Sequence, residues 1–266
     1  MNYSYRLIDW IKNICIFALL LGCDASLAAR PDTSESVNDL DVAYKIKISQ
    51  SKKVLSSYMA RNGVPGITVA VMENNELVWS EGLGFSDVEN SSPMLPKTKT
   101  RIGSISKSFT AVGMGLLLDQ RKFDLELPVQ HYVPSFPKKK YSVTPRHLAT
   151  HLSGIRHYPG VNYTKSSEYL NTHHYENILE GLNVFKNDPL LSKPGEKFKY
   201  SSYGYNLLGA AMQAAAKQDF VGYMQDNVFQ TLGMLDTMAQ SPTAIIYDRS
   251  RLYSRDGGKL VHAPFV

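Results

Sequence analysis

The sequence predicts an α+β domain, with an antiparallel β hairpin near its start and a long helical region after it. Two runs rich in β-branched and aromatic residues, 67–72 and 77–85, flank the turn pair Asn74 and Asn75, which is typical of a hairpin. From Ser104 onward, apolar residues recur at helical spacing instead. Apolar residues make up 43% of the chain and charged residues 20%, a balance that supports a packed core and argues against disorder.

The elements before the helical region follow from periodicity and from helix breakers. Spaced apolar residues over 38–62 predict one or two helices ahead of the hairpin. The segment 63–66 (GVPG) ends them, because glycine and proline interrupt helices. After the hairpin, the polar, proline-containing stretch 89–100 predicts a loop that leads to Gly103.

Three helices and a second hairpin are predicted in the remainder of the chain. The first helix covers 104–120, and the second begins at Thr144, a capping residue followed by Pro145 at the first helical position. The third covers 207–217, and the turn residues 256–258 (DGG) predict a small late hairpin. Four apolar side chains of the first helix are expected on one stripe: Phe109, Val112, Leu116 and Leu117.

The first 29 residues have the pattern of a targeting segment. Arg6 and Lys12 precede a nine-residue apolar run that is too short to cross a membrane, and small residues follow it. We therefore predict a secretory signal over 1–29 and an extracytoplasmic protein. The tetrapeptide ending at Cys23 resembles a bacterial lipoprotein box, in which Cys23 would carry a lipid and tether the protein to a membrane. A mitochondrial presequence is the alternative, although Asp9 and the shortage of arginine argue against it.

Composition excludes several function classes for the remaining chain. A polar linker is predicted over 30–37 and a single domain over 38–266. Both cysteines, Cys15 and Cys23, fall within the leader, which excludes a disulfide framework, a thiol nucleophile and a Cys-ligated zinc site from the domain. The net charge is only +5, and the basic residues outside the tract 138–140 are dispersed. The sequence therefore predicts no nucleic-acid partner.

Ser104 and Lys107 form an S-x-x-K pair at the start of an apolar helix. Residues three apart share a helix face, so the amine is expected beside the hydroxyl. The positive end of the helix disfavours a protonated amine and favours a forming alkoxide, so Lys107 could take the proton of Ser104. The same spacing occurs at Ser49 and at Ser135, neither of which opens an apolar helix. An ordinary helix cap is the alternative function of Ser104.

Tyrosines and histidines supply two further candidate sites. Tyr200 precedes the 207–217 helix and could relay a proton if it lay next to Ser104, although a packed core tyrosine is the alternative. His147 and His151 have zinc-compatible i,i+4 spacing, with His157 nearby. No H-E-x-x-H sequence accompanies them, so helix packing or capping is preferred over a metal site, and no metal is predicted.

An ordered series of segments resembles the serine β-lactamase and penicillin-binding-protein superfamily, on its class C-like or esterase side. The segments are 64–66 (VPG), 103–108 (GSISKS), 125–129 (LELPV), 148–155 (LATHLSGI), 194–195 (PG), 200–201 (YS) and 204–209 (GYNLLG). Two others, 128–134 (PVQHYVP) and 153–158 (SGIRHY), are more similar still to its mitochondrial serine β-lactamase-like branch and that branch's bacterial relatives. The resemblance extends over 63–266.

The resemblance implies a β-lactamase/transpeptidase-like fold, in which helices flank an antiparallel sheet beside a helical domain. It also implies a serine hydrolase that acts on amide or ester bonds, including those of peptides, through an acyl-enzyme and without a cofactor. Ser104 would be the nucleophile, Lys107 the general base or proton relay, and Tyr200 the acid for the leaving group. The Ser104 backbone N–H would serve the oxyanion hole, and Gly103 and Ser202 would support the substrate. The resemblance also suggests self-association as a partner expectation.

Two departures from the family pattern shape the prediction. Ser202 stands where Tyr-x-Asn sequences carry asparagine, which favours a protease or esterase over a β-lactamase. The late Lys/His-Thr/Ser-Gly segment is absent up to Val266. We therefore expect a C-terminally partial domain that lacks its last sheet strands, has one main-sheet hairpin and is poorly active alone. The competing function is a non-catalytic scaffold or assembly protein with the same fold, or an inactive truncated product.

Overall fold

The computed structural model describes residues 42–159, 168, 172–241 and 243–263. The chain divides into two compact units. Of the described residues, the smaller unit holds 42–53 and 70–79, and the larger holds 54–69 and 80–263. The leader over 1–29 and the linker over 30–37 lie outside the described residues. Every candidate site residue belongs to the larger unit.

The first elements are a helix and the expected hairpin. Helix α1 spans Val42–Asn62, strand β1 Gly66–Glu73 and strand β2 Glu76–Asp87. Asn74 and Asn75 both have positive φ, at 52° and 66°, as a two-residue hairpin turn requires. The order of helix, break and hairpin is confirmed.

The sheet contains one strand that the sequence analysis missed. Strand β3, Ser92–Pro93, pairs antiparallel with β2 and makes a three-stranded sheet in the order β1-β2-β3. The prediction of one main-sheet hairpin followed by a loop was therefore wrong. Pro93 directed the prediction towards a loop, but an edge strand accepts proline because it has one side without a pairing strand.

The helical region begins with α2, Ser106–Asp119, and α3, Pro145–Ala149. It continues with α4, Ile178–Gly181, α5, Ser202–Ala216, and α6, Phe220–Met224. Single 3-10 turns lie at Gly103–Ile105, Val129–His131 and Leu182–Val184, and a π turn follows α6 at Gln225–Phe229. The late hairpin consists of β4, Tyr253–Asp256, and β5, Lys259–His262, as predicted. No helix within the described ranges has the length and apolar character to span a membrane.

The hydrophobic core joins α2, α5 and α6. Leu117 of α2 and Leu207, Leu208 and Met212 of α5 are fully buried in it. Gly113 lies where α2 approaches α6: a Cβ there would come within 2.7 Å of the Met224 sulfur. The buried face of α2 is accordingly centred on Gly113 and Leu117, and the prediction that Val112 faces the core was wrong, since Val112 is exposed.

Candidate active site

Ser104 lies in a 3-10 turn that leads directly into α2. The turn spans Gly103–Ile105, and the backbone N–H groups at its end donate to the carbonyls of Gly103 and Ser104. Gly103 has a φ of 51°, a left-handed conformation that glycine adopts without strain. The turn holds Ser104 at the mouth of α2 with its side chain accessible. Lys107 follows within the first turn of that helix.

The structure brings Ser104, Lys107 and Tyr200 into contact. The Oγ of Ser104 lies 2.6 Å from the Tyr200 hydroxyl. The Nζ of Lys107 donates to the same Oγ at 3.3 Å. Ninety-six residues separate Ser104 from Tyr200 in sequence, so the fold, and not local helix geometry, joins the phenol to the serine.

Ser202 and Tyr205 complete the surroundings of the lysine amine. Nζ of Lys107 donates to Ser202 Oγ at 3.2 Å. It also lies 5.0 Å from the centroid of the Tyr200 ring and 5.4 Å from that of Tyr205, distances at which a cation is attracted to an aromatic face. The amine is therefore oriented by two hydroxyls and two rings. Ser202 contacts the amine as a polar partner, and Gly103 enters the site only through its backbone position beside Ser104.

The N-terminus of α5 positions Tyr200 and Ser202. Ser201, the N-cap of this helix, accepts the Gly204 N–H at 2.9 Å and donates its hydroxyl to the Arg156 carbonyl at 2.6 Å. Ser201 is 1% exposed. The cap is thus buried and hydrogen-bonded, and the residues on either side of it contact Ser104 and Lys107.

Two histidines that the sequence analysis did not assign to this site lie against Tyr200. The ring centroids of His151 and Tyr200 are 4.5 Å apart, and those of His157 and Tyr200 are 5.2 Å apart with perpendicular planes. The Nδ1 of His151 accepts the Ser201 N–H at 3.1 Å, and the Nδ1 of His157 accepts the Ser202 N–H at 3.3 Å. Both histidines belong to segments that carry the family resemblance, 148–155 and 153–158, but the resemblance assigned them no role.

Burial and charge shift the pKa values of these side chains. Burial lowers the pKa of His151, and the positive charge of Lys107 lowers it further. Burial, Lys107 and then His151 do the same for the pKa of His157. Both imidazoles are therefore neutral at pH 7. For Tyr200, burial raises the pKa, but the hydrogen bonds with Lys107 and Ser104 and the charge of Lys107 outweigh it, so the net pKa is lowered.

The third histidine of the alternative zinc site has a local structural role. His147 and Thr144 form a reciprocal capping box at the N-terminus of α3: the Thr144 side chain accepts the His147 N–H, and the imidazole accepts the Thr144 N–H. This is the capping function that the sequence analysis preferred. Within the described ranges, no group of three or more histidine, cysteine, aspartate or glutamate side chains is placed to hold a metal ion.

The geometry defines a class of chemistry. A serine hydroxyl lies in contact with both an amine and a phenol of lowered pKa, and acyl-enzyme chemistry in general needs a nucleophile and proton carriers of these types. A family model described as "Beta-lactamase" matches residues 52–265, and the chain belongs to this family. It is thereby a member of the serine β-lactamase and penicillin-binding-protein superfamily, as the sequence predicted, and membership supports serine acyl-enzyme chemistry in general.

Individual relatives agree with the family and the fold. The human "Serine beta-lactamase-like protein LACTB, mitochondrial" is 37% identical over 82% of this chain and 52% of its own length. The octameric penicillin-binding protein homologue from Pyrococcus abyssi superposes with a TM-score of 0.72 at 28% identity, covering 82% of this chain and 50% of that one. A class C beta lactamase, at 20% identity, shares the fold with a TM-score of 0.68 over 84% of this chain and 59% of its own. The chain thus spans about half the length of these relatives.

Proposed function

We propose that the protein is a serine hydrolase that cleaves amide or ester bonds through an acyl-enzyme on Ser104. The observation that supports the proposal is the contact of one hydroxyl, Ser104 Oγ, with both the Tyr200 phenol and the Lys107 amine. A helix cap needs neither partner, and Ser104 makes no side-chain capping hydrogen bond to α2. Chemistry therefore accounts for this geometry better than the capping alternative does.

Each step of the reaction uses one of these contacts. Ser104 Oγ bonds to the substrate carbonyl carbon, its proton passes to the Lys107–Tyr200 pair, and the carbonyl becomes an oxyanion beside the Ser104 N–H. The carbon–nitrogen or carbon–oxygen bond then breaks, and the leaving group takes the proton of the Tyr200 phenol, which Lys107 replenishes. Water then attacks the ester carbonyl carbon and gives a proton to the same pair. The bond from that carbon to Ser104 Oγ breaks, the pair returns a proton to Oγ, and the acid and free Ser104 are released.

The proposed substrate class follows from the contact of Ser202 with Lys107. Ser202 offers one short hydroxyl, already hydrogen-bonded to Lys107, where an asparagine would offer an amide donor and acceptor. We therefore propose peptides and simple esters as substrates ahead of β-lactams. No cofactor takes part in the proposed steps.

Covalent labelling tests the nucleophile. The full chain is incubated with a fluorophosphonate or a labelled penicillin, and the adduct is located by intact-mass and peptide mass spectrometry. We expect one adduct on Ser104, lost in Ser104→Ala and kept in Ser106→Ala, a neighbouring exposed serine. An adduct that persists in Ser104→Ala would contradict the proposal, and no adduct with either probe would favour the scaffold alternative.

The cellular location of the protein and its self-association are proposed separately from its activity. The human relative is named as mitochondrial, which supports the mitochondrial location over the extracytoplasmic one. Fusing residues 1–37 to a fluorescent protein and fractionating the host cells decides between the two, and mass spectrometry of the mature N-terminus tests whether Cys23 carries a lipid. Self-association is proposed from the octameric homologue and is tested by light scattering of the full chain over a concentration series.

A further inference from the structure

The segment that carries Tyr200 is held by hydrogen bonds to one neighbouring stretch of chain. The His151 carbonyl accepts the Lys199 N–H at 2.8 Å, and the His151 ring accepts the Ser201 N–H at 3.1 Å. The His157 ring accepts the Ser202 N–H at 3.3 Å. These three hydrogen bonds, which we call the histidine clasp, bind the backbone on both sides of Tyr200.

The clasp requires one protonation state of both rings. A backbone N–H donates to Nδ1 only if that nitrogen carries a lone pair, so each neutral imidazole must bear its proton on Nε2. A second proton would occupy Nδ1 and replace an acceptor with a donor that faces a backbone N–H. Each ring is therefore an acceptor that must stay neutral for the clasp to persist.

Local structure explains why His151 can make two of these bonds. His151 follows the short helix α3 with a left-handed φ of 59°, which turns its carbonyl towards Lys199 and its ring towards Ser201. The Leu152 N–H donates to the His147 carbonyl at 2.8 Å, which closes the end of α3 behind this residue. The histidine is thus anchored by its own backbone before it contacts the other segment.

The rings of His151 and His157 also lie against the Tyr200 side chain. His151 lies 4.5 Å from the phenol ring and His157 meets it edge-on at 5.2 Å, while the phenol oxygen lies 2.6 Å from Ser104. The rings therefore lie beside the same tyrosine whose neighbouring backbone N–H groups donate to their Nδ1 atoms. Small displacements of a reacting group lower rates steeply, by about 100-fold for 1 Å.

We propose that His151 and His157 are positioning residues that hold the Tyr200 phenol against Ser104 by accepting the backbone N–H groups of Ser201 and Ser202. The inference rests on the proposed function, since it assigns the histidines a role through Tyr200. They neither donate nor accept the transferred proton. Their contribution is to the geometry, and it needs their neutral, Nε2-protonated form.

The charged and titratable groups around the clasp favour that form. The Lys107 charge acts on both rings, the tilted rings of Tyr200 and Tyr205 lie beside His151, and Tyr158 lies beside His157. Burial and the Lys107 charge lower both histidine pKa values, so the neutral acceptors persist below pH 6.5, the ordinary histidine value. As the pH falls through the pKa of each histidine in the folded protein, the clasp loses its two ring acceptors and keeps the His151 carbonyl.

The first test reads the clasp without any activity. Two-dimensional ¹H–¹⁵N NMR of the full chain, with ¹⁵N-labelled histidine, reports which ring nitrogen carries the proton, and His151→Asn and His157→Asn assign the signals. We expect both rings to be neutral and protonated on Nε2 at pH 7. A proton on Nδ1 of either ring would overturn the proposal for that residue, whether or not Ser104 proves to be the nucleophile.

The second test replaces His151 with side chains that keep or lack an acceptor at the position of Nδ1. Asparagine carries its acceptor oxygen as many bonds from the backbone as Nδ1, whereas leucine has none. We expect His151→Leu to lower the acylation rate of Ser104 about 100-fold, with little change in KM, and His151→Asn to retain most of the wild-type rate. The exposed His131 serves as the control in His131→Asn.

The outcomes separate the two proposals. Equal loss in the leucine and asparagine variants, with unchanged melting temperatures, would overturn the positioning role while leaving Ser104 as the nucleophile. Wild-type protein that never acylates would remove the proposed function, and the ring protonation seen by NMR would then still decide whether the clasp exists.

Discussion

Opposing influences act on the Tyr200 phenol. Burial raises its pKa, while the hydrogen bonds with Lys107 and Ser104 and the lysine charge lower it by more. A phenol of lowered pKa gives up its proton to a leaving group more readily than an ordinary tyrosine does. The hydroxyl, and not the ring, donates the proton. A phenylalanine substitution removes only the hydroxyl and so tests proton donation separately from ring packing.

Tyr200→Phe should therefore lower the acylation rate of Ser104 by about 100- to 10,000-fold, because the ring contacts with His151 remain and the acid is lost. Turnover of an amide or an alkyl ester, whose leaving group needs that proton, measures the rate. Tyr205→Phe is the matched control, since Tyr205 also lies beside Lys107 but donates its hydroxyl to the Ala149 carbonyl. Equal losses in both variants would contradict a role for the Tyr200 hydroxyl in the chemistry.

The charge of Lys107 acts on two histidines at once. Burial is the larger influence on His151 and His157, and the lysine adds to it, so Lys107→Met should raise both histidine pKa values partway towards 6.5. Histidine NMR titrations of the full chain measure the shift, with Lys122→Met, an exposed site, as control. Unchanged titration curves in Lys107→Met would show that the amine does not face the clasp.

At the level of elements, the start of α5 connects stability to the site. Ser201 caps the helix through the Gly204 N–H and ties it to the Arg156 carbonyl from a fully buried position. Its neighbours Tyr200 and Ser202 reach the serine and the lysine. A fault at the cap should therefore affect both folding and acylation.

Ser201→Ala should lower the free energy of unfolding by about 2 kcal/mol, because the Gly204 N–H and the Arg156 carbonyl lose a buried partner. Urea unfolding followed by circular dichroism measures it. Ser108→Ala, an exposed position within α2, should stay within about 0.5 kcal/mol of wild type. A similarly small effect of Ser201→Ala would mean that the cap adds little to the fold.

Sequence signals predicted those elements that local chemistry defines. Thr144 with Pro145 marked the start of α3, and Asn74 with Asn75 marked the hairpin turn, because each acts on its own neighbours. Strand β3 depends on pairing with Phe85 and Asp87, and a proline in a two-residue strand leaves no periodic pattern. These non-local contacts have no signature within a sequence window.

The residues of the candidate site also differ in whether local or non-local contacts place them. Helix spacing alone placed Lys107 beside Ser104, and the ordered resemblance added Tyr200 from 96 residues away. The contacts of His151 and His157 with the α5 N-terminus cross 50 and 45 residues, so periodicity indicated only zinc spacing or helix packing for these histidines. Their place beside Tyr200 follows from the fold of the larger unit.

For the larger unit as a whole, an ion-pair network extends outward from the site. Arg156, whose carbonyl receives the Ser201 hydroxyl, pairs with Glu168 through two hydrogen bonds of 2.7 and 3.1 Å and with Asp188 at 2.5 Å. Tyr203 of α5 donates to Glu168 at 2.5 Å. These groups are mostly shielded from solvent, so their charges interact more strongly than those of an exposed pair.

The network predicts how stability depends on pH. Burial alone raises the pKa of Glu168, but the hydrogen bonds from Arg156 and Tyr203 lower it by more, so the net pKa lies below its ordinary value of 4.5. A lowered carboxyl pKa stabilises the fold above pH 4.5, and this contribution disappears as the pH falls through the pKa in the folded protein. Glu168→Gln should therefore destabilise the protein by about 2 kcal/mol at pH 7 and flatten the stability profile below pH 4.5. Urea unfolding at each pH measures both effects, and Glu196→Gln, in the exposed pair with Lys193, is the control that should change little. A Glu168→Gln profile parallel to that of wild type would show that other carboxylates set the acid sensitivity of this unit.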